Sequence, residues 1–317
     1  MHSCGPRQFI ASVLLLACFT GSVFAAKDAT LSDKTYTQTR YPIVLVHGMA
    51  MFDQMLAVSG WYGIPRNLRR GGADVYVLQV SAFNTTELRG EQAARQIETI
   101  LATSGAEKVN LIGHSHGSPT SRYVAGIYPQ YVASVSSVNG VNWGTPVADQ
   151  LLAQLEAGAS GPKAMEAIMN IWGRMVNILT GNPLPQDYAL ELEALTTEKA
   201  LSFNAEFPAG MPAEYCGQGD AVDANGIYYF SWTGNQVKTH FWDISDYGMQ
   251  TSAKMMDEPN DGLVPVCSSY LGTVIRDDYY MNHMDAVDQM FGLHSSKDTD
   301  PPVVYRQHAN RLKNMGL

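Results

Sequence analysis

At residues 109–117 the chain reads Val-Asn-Leu-Ile-Gly-His-Ser-His-Gly, a short apolar strand running into a Gly-x-Ser-x-Gly turn. Pro119 and the helix-compatible stretch 120–128 follow at once, so the turn joins a strand to a helix. Side chains at 113 and 117 would collide with the neighbouring strand and helix in so tight a junction, and glycine stands at both. Ser115 is thereby held proud of the sheet. A bare Gly-x-Ser-x-Gly string arises by chance in any Gly- and Ser-rich chain. The strand before it and the helix after it make this one a structural statement.

The rest of the first half agrees with that junction. Four segments, 43–46, 75–80, 109–112 and 132–138, are short, rich in Val and Ile and bounded by Gly, Pro or Asn, the pattern of parallel strands covered on both faces. Between the second and third, Ala93, Ala94, Ile97, Ile100 and Leu101 repeat at helical spacing over 88–104, and Gly105 supplies the stop. The expected fold is therefore α/β, an open, mostly parallel sheet with helices on both faces and its site at the carboxyl ends of the strands. With 45% hydrophobic and 16% charged residues over 317, the chain can bury one large core, and nothing marks a second domain. After Gly140 a long insertion precedes the next strand-like segment, 227–232. Within it Met165, Ile168, Met169, Trp172, Met175, Val176 and Leu179 form an apolar stripe between breaker clusters at 158–162 and 181–183. A packed core helix is the default for such a stripe. Its Met-rich face and its flanking hinges suit a mobile lid over 158–184.

Arg7, an apolar run over 9–19 and Val23-Phe24-Ala25-Ala26 form the three-part layout of a signal peptide, residues 1–26, leaving 27–317 as the exported domain. The run is too short to span a bilayer. A rival reading takes Leu15-Leu16-Ala17-Cys18 as a lipoprotein box that would leave Cys18 lipidated. Of the four cysteines only Cys216 and Cys267 remain after signal removal, enough for one disulfide, which on the loop-entropy model closes about 50 residues and contributes about 4 kcal/mol. Net charge is −9, and loss of Arg7 makes it one unit more acidic. No basic cluster is dense enough to track phosphates, which excludes nucleic acid as a partner and leaves apolar contact as the attraction to lipid.

A serine hydroxyl needs an imidazole to take its proton and a carboxylate to orient that imidazole. The elbow at 113–117 resembles that of α/β-hydrolases, in which the order along the chain is Ser, then Asp or Glu, then His. Candidate acids downstream are Asp243, Asp246, Asp257, Glu258, Asp261, Asp277 and Asp278; candidate bases are His240, His283, His294 and His308. Order alone does not choose among them. Asn260-Asp261-Gly262 before Leu263-Val264 looks like a turn carrying an acid beside a strand, and His283 sits in a loop after Val274-Ile275, which makes Asp261 and His283 the best-placed pair. Oxyanion donors are expected from the backbone N–H groups of His116, after the nucleophile, and Met49, where the strand at 41–49 ends in His-Gly-Met. His47 is read as a loop-orienting group.

Over nearly the whole mature chain, from Tyr36-Thr37-Gln38-Thr39 through the elbow to the run 305–314, the sequence resembles the secreted, foldase-dependent triacylglycerol lipases of the Pseudomonas type. The resemblance implies a Ser115, Asp261, His283 triad, oxyanion residues Met49 and His116, and a Cys216–Cys267 disulfide. It also implies one structural Ca2+ on Asp243, Asp285, Gln289 and the backbone carbonyl of Leu293, hard oxygen ligands of the kind calcium takes. A membrane-bound folding chaperone and passage through the periplasm to the outside are implied as well. Two departures stand out. Ser118 replaces a usual Gly, and Asn139-Gly140-Val141-Asn142-Trp143-Gly144 replaces a loop that more usually contains Pro-His-Lys; elbow packing and the acyl-pocket mouth are where they are expected to act. The leading expectation is an exported lipase cleaving acylglycerols through an acyl-enzyme. The rivals are a carboxylesterase for soluble short-chain esters or polyesters, and a non-catalytic binding module of the same fold.

Overall fold

The computed structural model describes residues 33–317 apart from 56 and 57; the expected signal peptide at 1–26, with Arg7 and the Cys18 box, lies outside the described residues. In chain order the elements are β1 (Ile43–Val46), β2 (Gln54–Met55), β3 (Val58–Ser59), α1 (Ile64–Arg70), β4 (Val75–Val77), α2 (Thr86–Ser104), β5 (Val109–His114) and α3 (Gly117–Ile127). There follow β6 (Val132–Val138), α4 (Pro146–Glu156), α5 (Ser160–Thr180), α6 (Tyr188–Ala194), α7 (Thr197–Glu206), β7 (Tyr228–Gly234), α8 (Ser245–Ser252), β8 (Thr273–Tyr279) and α9 (Pro301–Asn314). Six strands form one parallel sheet in the order β4-β1-β5-β6-β7-β8, and β2 with β3 makes a separate antiparallel pair.

Alternation along β1 shows why the sheet must be covered twice. Ile43 and Leu45 pack with Ile64 and Leu68 of α1 and with Tyr305 and Ala309 of α9. Val44 and Val46 point the other way, onto Ala93 and Ile97 of α2 and Val124 of α3. All four are fully buried, and each such side chain contributes about 1.5–3 kcal/mol relative to exposure.

Element ends moved for local reasons. α2 starts two residues before the expected helix because the Thr85 hydroxyl caps it, accepting from the Leu88 N–H at 3.3 Å. β4 stops at Val77, three residues short of expectation, because α2 side chains take over the backbone there: Gln96 Oε1 accepts from the Gln79 N–H at 3.1 Å and Gln92 Oε1 from the Ser81 N–H at 2.7 Å. α3 begins at Gly117, directly after the elbow. A third apolar cluster, with Phe52, Phe83, Val141, Val176, Leu192 and Val264 at its centre and Met49, Met169 and Trp172 against it, roofs the carboxyl end of the sheet.

The expected stripe on α5 divides. Val176 is buried and Met169 and Trp172 pack into the roof, whereas Met165, Ile168 and Met175 are exposed together with Ile171 and Ile178. The helix is apolar over a wider arc than one packing face uses. Cys216, before β7, and Cys267, before β8, are joined as a disulfide.

Candidate active site

The site begins with sterics. A Cβ on Gly113 would lie 2.1 Å from the Gly117 carbonyl oxygen, and one on Gly117 would lie 1.9 Å from the Val46 carbonyl oxygen. Between them Ser115 takes φ 55°, a left-handed conformation that costs a non-glycine residue about 1–3 kcal/mol. Its backbone is held at both ends: the N–H donates to the Val138 carbonyl, and the carbonyl accepts from the Ser118 N–H, each at 3.0 Å.

His283, on the loop after β8, places Nδ1 2.8 Å from Asp261 Oδ2, and both side chains are buried. Asp261 is itself pinned. Oδ2 also accepts from Asn139 Nδ2 at 2.7 Å, and Oδ1 accepts from the N–H groups of Leu263 and Val264 at 2.9 and 2.7 Å. His114 joins this loop to the elbow, with Nε2 3.0 Å from the His283 carbonyl and its ring centre 4.6 Å from that of His283. Ser115 Oγ and His283 Nε2 carry no protein hydrogen bond, to each other or elsewhere among the described residues; such contacts commonly tighten only with substrate. Other imidazoles lie outside this constellation: His294 pairs with Asp288 at 2.8 Å and His308 meets Ser136 Oγ at 2.7 Å.

The backbone N–H groups of Met49 and His116 are given to no protein acceptor among the described residues. Behind them is a buried polar cluster. His116 Nδ1 lies 2.7 Å from Glu191 Oε1 and Nε2 lies 2.8 Å from Thr86 Oγ1, while Glu191 Oε2 accepts from the Asn84 N–H at 2.8 Å. Burial drives the His116 pKa down, and the Glu191 carboxylate opposes that shift. Arg89 donates to the His47 carbonyl at 2.5 Å and to the Ser81 carbonyl. Burial pushes His47 down to about 3; its neutral ring meets the Gly48 carbonyl at 2.9 Å and accepts from the Val80 N–H at 3.3 Å.

A second group of oxygens is chemically incomplete. Asp243 Oδ1 accepts from Ser245 N–H and Oγ at 2.7 and 2.6 Å, and Asp285 Oδ2 accepts from the Asn282 N–H at 3.0 Å. Asp243 Oδ2, Asp285 Oδ1 and Gln289 Oε1 are buried with no partner. Burial first, with Asp246 and Asp243 adding repulsion, pushes Asp285 up to about 7. Bare oxygens on two mutually repelling carboxylates and one on a buried amide, with no Lys or Arg paired to Asp243 or Asp285 among the described residues, are donors of the kind a hard cation takes. Cys216, Glu258 and Cys267 also cluster, but those sulfurs are spent in the disulfide and have no thiolate to offer.

Sequence reasoning missed Asn139 and Glu191 as partners of the proposed machinery. Asn139, with φ 46°, turns the chain after β6 and so reaches Asp261; the Asn-Gly pair was its only local signal. Glu191 had none, because it comes from α6, within the long insertion and 75 residues along the chain from His116. The two departures turn out to be joined, since Ser118 Oγ lies 2.9 Å from Asn142 Oδ1 and both residues are buried beside the elbow. A cavity of about 690 Å³ lined by Arg122, Phe207 and Tyr229 touches none of Ser115, Asp261 or His283. Helix α5 is tied to the loop after β1, where Trp172 Nε1 donates to the Ala50 carbonyl at 2.9 Å.

A family model described as alpha/beta hydrolase fold matches residues 41–168. The chain is 48% identical over 310 residues to a triacylglycerol lipase of Vibrio cholerae, covering 97% of this chain and 99% of that one. It is 38% identical to a triacylglycerol lipase of Pseudomonas fragi, covering 88% and 98%. Among solved structures, the mature Bacillus licheniformis lipase superposes with a TM-score of 0.59 at 18% identity, covering 87% of this chain and 93% of that one. Staphylococcus hyicus lipase does so with 0.53 at 16%, covering 88% and 97%. Those two likenesses concern the fold.

Proposed function

We infer the chemistry from a premise these relatives supply: the chain belongs to the triacylglycerol lipases with the α/β-hydrolase fold. It is a serine ester hydrolase acting on acylglycerols. The observation that carries the residue roles is the His283–Asp261 contact at 2.8 Å, on a loop that His114 ties to Ser115.

In this reading Ser115 Oγ attacks the ester carbonyl carbon while His283 Nε2 takes its proton. Asp261 fixes the tautomer with Nδ1 protonated and steadies the imidazolium. The tetrahedral oxyanion receives the N–H groups of Met49 and His116, each worth about 3–4 kcal/mol of barrier. His283 returns the proton to the departing glyceride oxygen, and the acyl group stays on Ser115. Water, deprotonated by the same imidazole, then attacks the acyl-enzyme; fatty acid leaves and Ser115 regains its proton.

Asp243, Asp285, Gln289 and the Leu293 carbonyl would hold Ca2+, which supplies fixed positive charge and no chemistry on the ester. Asp285 lies two residues past His283, so charge neutralisation there steadies the loop that aims the imidazole. Helix α5, within 158–184, serves as the lid, opening when its exposed apolar row meets lipid. Export after removal of residues 1–26 and help from a lipase-specific folding chaperone complete the reading.

The test is mass spectrometry after labelling with an alkyl phosphonate. One adduct on Ser115 is expected, with none in Ser115→Ala; an adduct on another serine overturns the assignment. Hydrolysis of emulsified long-chain triacylglycerol should exceed that of a dissolved short-chain ester at equal ester concentration. The reverse ranking would favour a soluble-ester esterase.

A further inference from the structure

Residues 238–248, from beyond β7 into α8, have their polarity inside out. Asp243 and Asp246 are each 1% exposed, while Phe241, Trp242, Ile244 and Tyr247 are exposed by 72, 74, 76 and 60%. The cause is local. Asp246 Oδ2 accepts from the N–H groups of Thr239 and His240, each at 2.9 Å, and Oδ1 from Asn282 Nδ2 at 2.7 Å. Asp243 turns inward with its own Oδ2 left bare. With both carboxylates committed to the interior, the residues flanking them can only face outward.

Four large apolar side chains this exposed cost a soluble chain solubility and carry meaning only if something covers them. The patch has a chemistry. Phe241 and Trp242 pack edge to face at 5.0 Å, and the ammonium of Lys238 lies 5.8 Å from the Tyr247 ring. In a chain of net charge −9, this stretch exposes one lysine and no carboxylate. Aromatic rings with a polar edge, one cation and no exposed anion match the boundary between acyl chains and headgroups. The segment is also tied to the site: Ser252 Oγ of α8 lies 2.5 Å from the Gly262 carbonyl, next to Asp261.

We propose that Phe241, Trp242, Ile244 and Tyr247 form a lipid-docking surface, separate from the α5 helix, that seats the enzyme on the surface of emulsified triacylglycerol. This rests on the lipase reading above. The experiment uses the Ser115→Ala protein, which binds without hydrolysing, and measures its partition onto triolein droplets by flotation. Adding Phe241→Ser with Trp242→Ser is expected to weaken partition at least about tenfold, from the apolar area withdrawn. A blue shift of tryptophan emission on droplets is expected in the Ser115→Ala protein and is expected to be lost when Trp242→Phe is added, a change mild enough to leave the fold intact. With Ser115 present, the Phe241→Ser, Trp242→Ser variant should hydrolyse a dissolved short-chain ester within about twofold of the parent and lose activity only on emulsion. Unchanged partition, or an unchanged blue shift in Trp242→Phe, overturns the proposal. So does normal partition with a loss confined to chaperone-assisted yield, which would make the surface a protein contact. If the lipase reading alone is wrong, the parent partitions normally but releases no fatty acid from triolein.

Discussion

The elbow at 113–117 and helix α5 sit at the same carboxyl end of the sheet and obey opposite rules. The elbow has no spare volume: its two glycines lie about one atom's width from backbone oxygens, with hypothetical Cβ contacts of 2.1 and 1.9 Å. Helix α5 has room on most sides. A Cβ on Gly161 would meet nothing within 4 Å, no side chain caps the helix N-terminus, and Ile171 and Ile178 are exposed by 64 and 78%. Among the described residues four polar tethers hold it: Trp172 Nε1 to the Ala50 carbonyl at 2.9 Å, Asn177 Nδ2 to the Leu184 carbonyl at 2.5 Å, Gln186 Nε2 to Asn177 Oδ1 at 2.7 Å, and the Tyr188 N–H to Asn170 Oδ1 at 3.1 Å. Reaction geometry requires a junction that cannot relax. In the proposed lid role, access for a bulky substrate requires a cover that can leave, and few, only part-buried polar contacts are what would allow it.

The sharpest break of this contrast is at the elbow's strained residue. Ser115→Gly is expected to lower kcat on a dissolved ester by about 10⁴–10⁶-fold while raising stability by about 1 kcal/mol, because glycine accepts φ 55° without strain. Paired kinetics and melting curves check both signs. Next, Gly117→Ala should cost about 3 kcal/mol or more, since the new Cβ meets a carbonyl oxygen that belongs to β1; denaturant titration reads it, and a wild-type midpoint would show that the elbow has slack.

Protons separate the two regions next. Burial holds His47 and His308 at about 3, below the ordinary 6.5, so the unfolded chain takes up protons as pH falls through 6.5 while the fold does not. Stability is therefore complete above pH 6.5 and declines below it, by about 2 kcal/mol per imidazole between pH 7 and 5. His308→Gln should flatten that slope in melting temperature against pH. None of the α5 tethers titrates, so the ratio of emulsion to dissolved-ester activity should stay level over the same range. Trp172→Phe, which removes one tether worth about 1 kcal/mol, is expected to raise dissolved-ester activity up to about fivefold. The smallest effect is Gly161→Ala, about 0.5–1 kcal/mol of added helix stability with kinetics unchanged.

Legibility followed the range of the forces involved. The six-stranded sheet was readable wherever a strand was a continuous Val- and Ile-rich run, and was misjudged at 78–80, where the N–H groups of Gln79 and Val80 go to the side chains of Gln96 and His47 instead of to a neighbouring strand. The α5 stripe was readable as apolar but not as two rows, one packed and one exposed. Periodicity reports which residues share a face; it does not report which faces find a neighbour.

The elbow's order of strand, two glycines and helix is written within nine residues, and one of its two steric constraints, Gly113 against Gly117, is local; the other, Gly117 against the Val46 carbonyl, exists only once β1 lies beside β5. The cysteine pair was determined by count. Tertiary structure decided which of seven acids meets His283, that Asn139 steadies that acid from the end of β6, and that Glu191 braces His116 from within the insertion. Those contacts join residues from 22 to 122 positions apart. Their existence depends on strand order and on buried polar groups finding partners away from water, and neither is written in any local stretch of chain.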